Sequence, residues 1–323
     1  MKTRIEDLWR DAAQQAASRP IEANGYRLNR IDQNSRFAIY AGVDDSSFSL
    51  LAIGIDTRPP NIAIDSSSLD YFRQQRQDGS WLMVLRLRQN GLETVFGKLC
   101  QDLVDAAECV PDQSSLLVLF KERLNLWKKL FQHGSSGFLK AHEIKGLMAE
   151  MLVLEWLIQN GAQAKNEAVS GWIGPLGADQ DFMFAELALE VKGVGPSAES
   201  ITISSLEQLD CSVAIRLVLV TLRQATSGEQ GAIGLNALAA RIEGLIAASP
   251  EALNTFKERL LEAGYVEHEF YETVLFEHMS SISYRVAAGF PKLTRGMVPE
   301  GIASATYAIN IDSISEYRDD LLK

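Results

Sequence analysis

The stretch GADQDFMFAELALEVKGVGP, residues 177–196, decides the expected fold. Side chains alternate between two faces along a β-strand. A strand over LALEVKGV therefore places Glu190 and Lys192 side by side on one face, next to Ala188. The opposite face is purely apolar and carries Leu187, Leu189 and Val191. Glycine and proline at 193–196 end the strand, so the charged pair is expected near its open end.

The segment just before this strand supplies a second carboxylate. Asp181 begins the apolar stretch 182–184, which we expect to pair with the Glu190 strand as a hairpin. Asp181 and Glu190 are then close enough to share a hard divalent cation, which prefers oxygen ligands. Lys192 would lie beside the metal as a positive charge, a grouping suited to phosphodiester hydrolysis. Two alternatives stay open: a surface hairpin with an ordinary Glu/Lys pair, and Asp179 as the ligand in place of Asp181.

A third carboxylate lies on the helix predicted over 142–161. This helix is apolar nearly all round and should be buried. On the helical wheel Glu150 falls between Leu154 and Leu157. Burying an unpaired carboxylate at this position would destabilise the fold by on the order of several kcal/mol, as for any buried unpaired charge. Pairing or metal binding would remove this cost. Two interpretations of Glu150 stay open. It could belong to the site, or it could form an ion pair with a lysine or arginine at the rim of the helix.

Downstream, ITISSLEQLD (201–210) predicts a strand that leads into a short helix over about 204–210. Ser204 would cap that helix and Glu207 would complete a capping box. Gln208 would then lie one turn into the helix, either solvated or facing the site. The apolar run VAIRLVLVTL (213–222) predicts a strand that is buried on both faces.

These segments, in this order, resemble the PD-(D/E)XK nuclease superfamily over about residues 138–223. The combination of GLMAEMLVLEWL, GADQDF, LEVKG and SSLEQL is similar to a bacterial branch associated with restriction and phage-defence gene neighbourhoods. No proline precedes Asp181, which is a departure from the motif. The resemblance implies these roles: Asp181 and Glu190 as ligands of Mg²⁺ or Mn²⁺, Lys192 as the catalytic lysine, Glu150 as an accessory acidic residue of the catalytic group, and Gln208 near the substrate.

The expected fold class is α/β (α+β), with a restriction-endonuclease-like core whose mixed central sheet is flanked by helices. Three domains are expected: 1–112, strand-rich; 113–225, the nuclease-like core; and 226–323, an α/β C-terminal extension. Helices are predicted near 4–17, 94–108, 115–133, 235–248 and 251–263. Strands are predicted at 37–45, 48–56, 81–89, 268–278, 281–289 and 304–312, with strands and turns from 166 to 223.

Charge limits the partners that the chain can hold. Lysine and arginine number 31 against 42 acidic residues, so the net charge of −11 has the wrong sign for general adhesion to nucleic acid. DNA binding would depend on local basic stretches, and Lys140 and Lys145 are the candidate substrate-binding residues. Residues 121–145 hold six basic side chains against two acidic ones: Lys121, Arg123, Lys128, Lys129, Lys140 and Lys145. Arg285, Lys292 and Arg295 form a second candidate group.

Three cysteines without a CxxC pair or Cys/His cluster indicate reduced thiols and exclude a recognisable zinc site. The N-terminus is not a secretory signal and no apolar run reaches the length of a membrane helix. We therefore expect a cytoplasmic protein without a membrane partner.

The sequence predicts a Mg²⁺-dependent DNA endonuclease, or a nuclease subunit, of a bacterial restriction or phage-defence system. A non-catalytic subunit that keeps the nuclease-like core as a scaffold for a partner ATPase or methyltransferase is the main alternative. A hydrolase of another phosphoester is a third. The sequence leaves open whether the substrate is DNA or RNA. It also leaves open whether the chain forms a homodimer.

Overall fold

The computed structural model describes residues 4–64, 66, 68–89, 91–132, 138–319 and 321, with only the backbone for 128–132. The chain divides into two compact units, one extending to Phe138 and the other beginning at Leu139. The three-domain division at 112 and 225 stays a prediction. Among the described helices, none combines the length and apolar character needed to cross a bilayer.

The first unit contains an antiparallel sheet of five strands in the order β1-β2-β3-β5-β4. Its helices are α1 (Ile5–Ser18), α2 (Glu93–Glu108) and α3 (Gln113–Gln132). Its strands are β1 (Tyr26–Arg30), β2 (Ile39–Asp44), β3 (Ser49–Ile55), β4 (Leu69–Gln75) and β5 (Trp81–Leu87). The three central strands are those predicted from the sequence. The two that were missed, β1 and β4, are the edge strands, whose polar residues hide the alternation that marks a half-buried strand.

The second unit is built on a mixed sheet in the order β10-β11-β9-β7-β6, with β13 also paired to β11. Its helices are α4 (Ala141–Gln159), α5 (Lys165–Gly171), α6 (Leu235–Ile246) and α7 (Pro250–Glu262). Its strands are β6 (Phe182–Met183), β7 (Leu187–Val194), β8 (Ser200–Ile203), β9 (Ala214–Ala225), β10 (Ala232–Ile233), β11 (Leu275–Arg285), β12 (Tyr307–Asn310) and β13 (Arg318–Asp319). A separate pair, β8 and β12, is antiparallel.

The centre of this sheet positions the charged residues of the 177–196 stretch. β6 and β7 form the expected antiparallel hairpin, with Phe182 opposite Leu189. β7 runs parallel to β9, the apolar strand predicted at 213–222, and β9 is paired on its other side with β11. Helix α4 packs directly on β7. A Cβ added to Gly193 would lie only 2.9 Å from the carbonyl oxygen of Lys145, so this close approach requires glycine.

Three local predictions in this unit were wrong. Residues 165–171 form helix α5, although strands and turns were expected from 166. The strands expected at 268–278 and 281–289 are one strand, β11, with an irregularity between His278 and Ser280. Residues 204–210 form turns rather than a capped helix.

The reason for the last error lies in Gln208. Its side-chain oxygen accepts a hydrogen bond from the amide of Ser204 at 2.7 Å, and its own amide donates to Ser205 Oγ at 3.2 Å. These bonds replace helical ones. Leu206 and Leu209 are both fully buried in the turns.

Candidate active site

Glu190 and Lys192 form an ion pair on the face of β7 that the sequence predicted. Lys192 Nζ lies 2.7 Å from Glu190 Oε1. Glu190 is only 1% exposed, whereas the side chain of Lys192 is 19% exposed. The pair therefore has one buried acidic end and one end that solvent reaches. An ordinary surface Glu/Lys pair, the open alternative, would not bury its carboxylate.

Asp181 precedes β6 and its carboxylate turns toward β7. Asp181 Oδ2 accepts a hydrogen bond at 2.7 Å from the amide of Val191, the residue between Glu190 and Lys192. The Asp181 amide in turn donates to the carbonyl of Leu189 at 3.0 Å. These two bonds fix Asp181 against the Glu190 strand, whereas Asp179 is exposed.

Glu150 joins this group from helix α4. Its Oε2 accepts a hydrogen bond at 2.7 Å from the indole Nε1 of Trp172, which is fully buried. A Cβ added to Gly174 would meet Glu150 Oε2 at 2.8 Å and Asp181 Oδ1 at 2.7 Å. The two carboxylates thus both reach the same point beside Gly174. The ion pair considered for Glu150 occurs instead at Glu155, one turn later, which binds Arg241 through both oxygens.

Gln208 approaches the site from the turn after β8. Its Oε1 accepts hydrogen bonds from Lys192 Nζ at 3.3 Å and from the amide of Ser204 at 2.7 Å. Lys192 is therefore held between Glu190 and Gln208. The sequence suggested only that Gln208 lies near the substrate. In the structure Gln208 contacts Lys192 directly.

Burial is the largest cause of a raised pKa at each of the three carboxylates. Burial raises the pKa of Glu150 well above its usual range, and the nearby Asp181 raises it further. Burial raises the pKa of Asp181 to about 6, opposed by its hydrogen bond from Val191. Burial, followed by Asp181, raises the pKa of Glu190 to about 8, although Lys192 opposes the shift. Such shifts cluster at functional sites.

One oxygen of this group, Glu190 Oε2, is buried and finds no hydrogen-bond donor among the described residues. A buried carboxylate oxygen without a donor is costly, and a cation would remove that cost. Within the described part of the chain, no group of three His, Cys, Asp or Glu residues is arranged to hold a metal. Mg²⁺ is commonly bound by only one or two carboxylates and keeps several waters. Asp181 and Glu190 fit that mode.

The candidate substrate-binding lysines lie at and near the start of α4. Lys140 is exposed, and its amide donates to the Glu143 carboxylate at 2.7 Å. Lys145 is half-buried beside Gly193, the residue that follows Lys192. The Lys128 and Lys129 side chains lie outside the described residues.

The second basic group builds structure around the site. Lys292 donates to the carbonyl of Leu209 at 2.8 Å. Arg295 forms an ion pair with Glu207 at 2.9 Å. Two of its three members are therefore bound to the turn that carries Gln208.

Two residues that shape the site, Trp172 and Gly174, were not singled out from the sequence. A buried tryptophan needs an acceptor for its indole N–H, and Glu150 was already a candidate buried carboxylate. That need was the available signal for Trp172. The sequence held no comparable signal for Gly174. A residue without a side chain is required there only because α4 and the hairpin approach each other in the folded chain.

A family model described as "Putative PD-(D/E)XK family member, (DUF4420)" matches residues 5–312, nearly the whole chain. The chain belongs to this PD-(D/E)XK family. No curated protein and no solved structure matches it. The resemblance seen in the ordered motifs is confirmed, and so is the α+β fold with a mixed sheet. Membership of the PD-(D/E)XK family indicates a nuclease-type hydrolase with DNA as its substrate class.

Proposed function

We propose that the chain is a metal-dependent DNA endonuclease, or the nuclease subunit of a larger system, that hydrolyses phosphodiester bonds. The observation that carries this proposal is the unpartnered, buried Glu190 Oε2 next to Asp181 and Lys192. A scaffold has no need to bury two repelling carboxylates beside a lysine. A hydrolytic site does, because it must concentrate negative ligands and a positive charge around one phosphate.

Asp181 and Glu190 would hold Mg²⁺ or Mn²⁺. When bound, the cation would polarise the phosphoryl group and lower the pKa of an attacking water. The Val191 amide fixes Asp181 for this role, and the hairpin fixes the spacing between the two acids.

Lys192 is the proposed catalytic lysine. Its ammonium is partly exposed and would orient the attacking water or offset negative charge that develops on the phosphate. Gln208 and Glu190 hold the ammonium in place from two directions. Glu150, oriented by Trp172, is the proposed accessory acid beside Asp181.

DNA binding is proposed to be modest and strongly salt-dependent, because the net charge is −11 and cations must act locally. Lys140 and Lys145 at the start of α4 are the proposed phosphate contacts. Partner proteins of a restriction or phage-defence system, such as an ATPase or a methyltransferase, would then supply targeting in the cytoplasm. Sedimentation of the chain, alone and mixed with a candidate partner, tests both this association and a homodimer.

The decisive experiment is cleavage of supercoiled plasmid by purified protein with Mg²⁺ or Mn²⁺. We expect nicking or cutting that Lys192→Ala and Glu190→Gln abolish. Glu186→Gln is the matched control, since Glu186 is an exposed acid in the hairpin turn just before β7. Cleavage that survives both site substitutions would falsify the assignment.

The competing proposal is a non-catalytic subunit that uses the core as a scaffold, which the negative net charge favours. Calorimetry with Mn²⁺ separates the two proposals. Binding that Asp181→Asn removes supports the nuclease, while absence of binding leaves only the scaffold.

A further inference from the structure

Helix α7 contacts one residue of the candidate active site in two ways. Phe256, which is fully buried on α7, packs its ring against that of Trp172, with 5.9 Å between the ring centroids. Arg259, about one turn further along α7, donates from Nε to the main-chain carbonyl oxygen of Trp172 at 2.8 Å. The side chain and the backbone of Trp172 are therefore both held by a helix that lies beyond residues 138–223, the stretch that carries the family motifs.

The position of Trp172 in the chain explains why its carbonyl needs such a donor. Helix α5 ends at Gly171, so Trp172 lies at the helix end, where carbonyl oxygens lack helical partners. Trp172 is also fully buried, and a buried carbonyl without a donor is destabilising. The half-buried Arg259 supplies the donor from a distant part of the sequence.

The indole of Trp172 connects this contact to the proposed accessory acid. Its Nε1 donates to Glu150 Oε2 at 2.7 Å. Burial raises the pKa of Glu150, Asp181 raises it further, and the hydrogen bond from Trp172 opposes both. A displacement of Trp172 would therefore change both the place and the charge of the Glu150 carboxyl group.

Asp181 is held by bonds that do not involve α7. The amides of Ile173 and Gly174 both donate to its carbonyl oxygen at 2.9 Å, and the amide of Val191 donates to its carboxylate at 2.7 Å. Loss of the contact with α7 should therefore displace Trp172 far more than Asp181.

We propose that Arg259 is a positioning residue of the nuclease, which holds Trp172 so that its indole orients Glu150 beside Asp181. This inference rests on the proposed nuclease function and extends the site to helix α7. Hydrogen bonds that orient the groups of a metal site typically cost about ten- to a hundredfold in activity or metal affinity when they are lost.

The test variant is Arg259→Met, which removes the donor and keeps most of the apolar stem. Arg259→Lys keeps a cationic donor. Lys257→Met is the matched control, because Lys257 is an exposed cation on the same helix and its loss changes the net charge equally. Thermal melts verify that each variant is folded.

Two readouts separate positioning from a general effect on the fold. The first is the nitrogen–proton NMR spectrum of the tryptophan indoles, in which Trp172→Phe identifies the Trp172 resonance. Glu150→Gln identifies the same resonance if Trp172→Phe does not fold, because it changes the acceptor of the indole. The second readout is kcat and KM for plasmid cleavage with Mg²⁺, in the unmodified chain and in the Glu150→Gln chain.

We expect Arg259→Met to shift the Trp172 resonance and to lower kcat about tenfold with little change in KM. Arg259→Lys should keep most of kcat, and Lys257→Met should change neither readout. In the Glu150→Gln chain most of the tenfold loss should disappear, since the carboxylate that Trp172 orients is already absent.

An unchanged Trp172 resonance in Arg259→Met overturns the inference, and so does a loss of kcat that is equally large in the Glu150→Gln chain. A rise in KM alone would overturn it as well and assign Arg259 to substrate contact. If the unmodified chain cuts no DNA while Arg259→Met still shifts the resonance, the nuclease proposal fails and the positioning of Glu150 through Trp172 stands.

Discussion

The carboxylate of Asp181 accepts a hydrogen bond at 2.7 Å from the backbone amide of Val191, the residue that separates Glu190 from Lys192. One strand thus presents an acid, an amide and a lysine at successive positions. The amide orients Asp181, which immediately precedes the neighbouring strand β6. The spacing Glu-x-Lys is needed because only alternate residues share a face, while the residue between them contributes its backbone.

The raised pKa values predict that the metal-free protein loses stability as the pH rises. Glu190 has an ordinary pKa of 4.5 that is raised to about 8 in the folded chain. The folded state therefore binds more protons than the unfolded state between these values, and the free energy of unfolding falls across this window. Asp181 acts with the same sign up to about pH 6. Melting temperatures at about pH 5 and pH 8 measure the loss.

Glu190→Gln should reduce this pH dependence and raise the melting temperature at about pH 8, since the amide cannot ionise. Glu186→Gln, at an exposed position, should leave it unchanged. Mg²⁺ or Mn²⁺ should stabilise the unmodified protein most at high pH and the Glu190→Gln variant much less. An unmodified protein whose stability rises from pH 5 to pH 8 would contradict the burial of these acids.

Gly174→Ala should damage the site without damaging the fold. The added methyl group would press on Asp181 Oδ1 and Glu150 Oε2 and displace both carboxylates. We expect DNA cleavage to fall about tenfold or more, because small displacements of reacting groups are costly. Gly146→Ala on α4 is the matched control, since its Cβ would meet open space. It should keep activity and gain about 0.5–1 kcal/mol of stability.

Local patterns in the sequence were sufficient for the hairpin and for α4. Alternation placed Glu190 and Lys192 on one face, and helical periodicity placed Glu150 among buried residues. Both patterns depend on neighbours a few residues apart. The same reasoning missed β1 and β4, where the polar edge positions blur the alternation.

Local sequence patterns could not predict contacts between segments that are far apart in the chain. Trp172 and Gly174 matter only because the turn that carries them packs against α4 and β6. The turn at 204–210 was misread because Gln208 binds the Ser204 amide that a helix cap would have used. Lys292 and Arg295, members of the second candidate group for DNA, bind Leu209 and Glu207, and no local pattern indicated these contacts.

Gln208 is predicted to act by positioning Lys192. Gln208→Ala removes the acceptor for both Lys192 Nζ and the Ser204 amide. We expect kcat for DNA cleavage to fall about tenfold with little change in KM, the size typical of losing a supporting hydrogen bond. Gln208→Glu keeps an acceptor and should restore most of kcat. A change confined to KM in both variants would instead indicate direct contact with the substrate.

Two glutamates on α4 should respond in opposite ways to the same substitution. Glu155 pairs with Arg241 through both oxygens, so Glu155→Gln should cost on the order of 1 kcal/mol, moderated by the half-exposed Arg241 side chain. Glu150→Gln can still accept the Trp172 hydrogen bond and removes a carboxylate that Asp181 and Glu190 repel. It should leave stability unchanged or raised while it lowers DNA cleavage. Denaturant unfolding and plasmid nicking, measured on the same preparations, test both halves. If Glu150→Gln unfolds the chain and Glu155→Gln abolishes cleavage, the roles of the two acids are reversed.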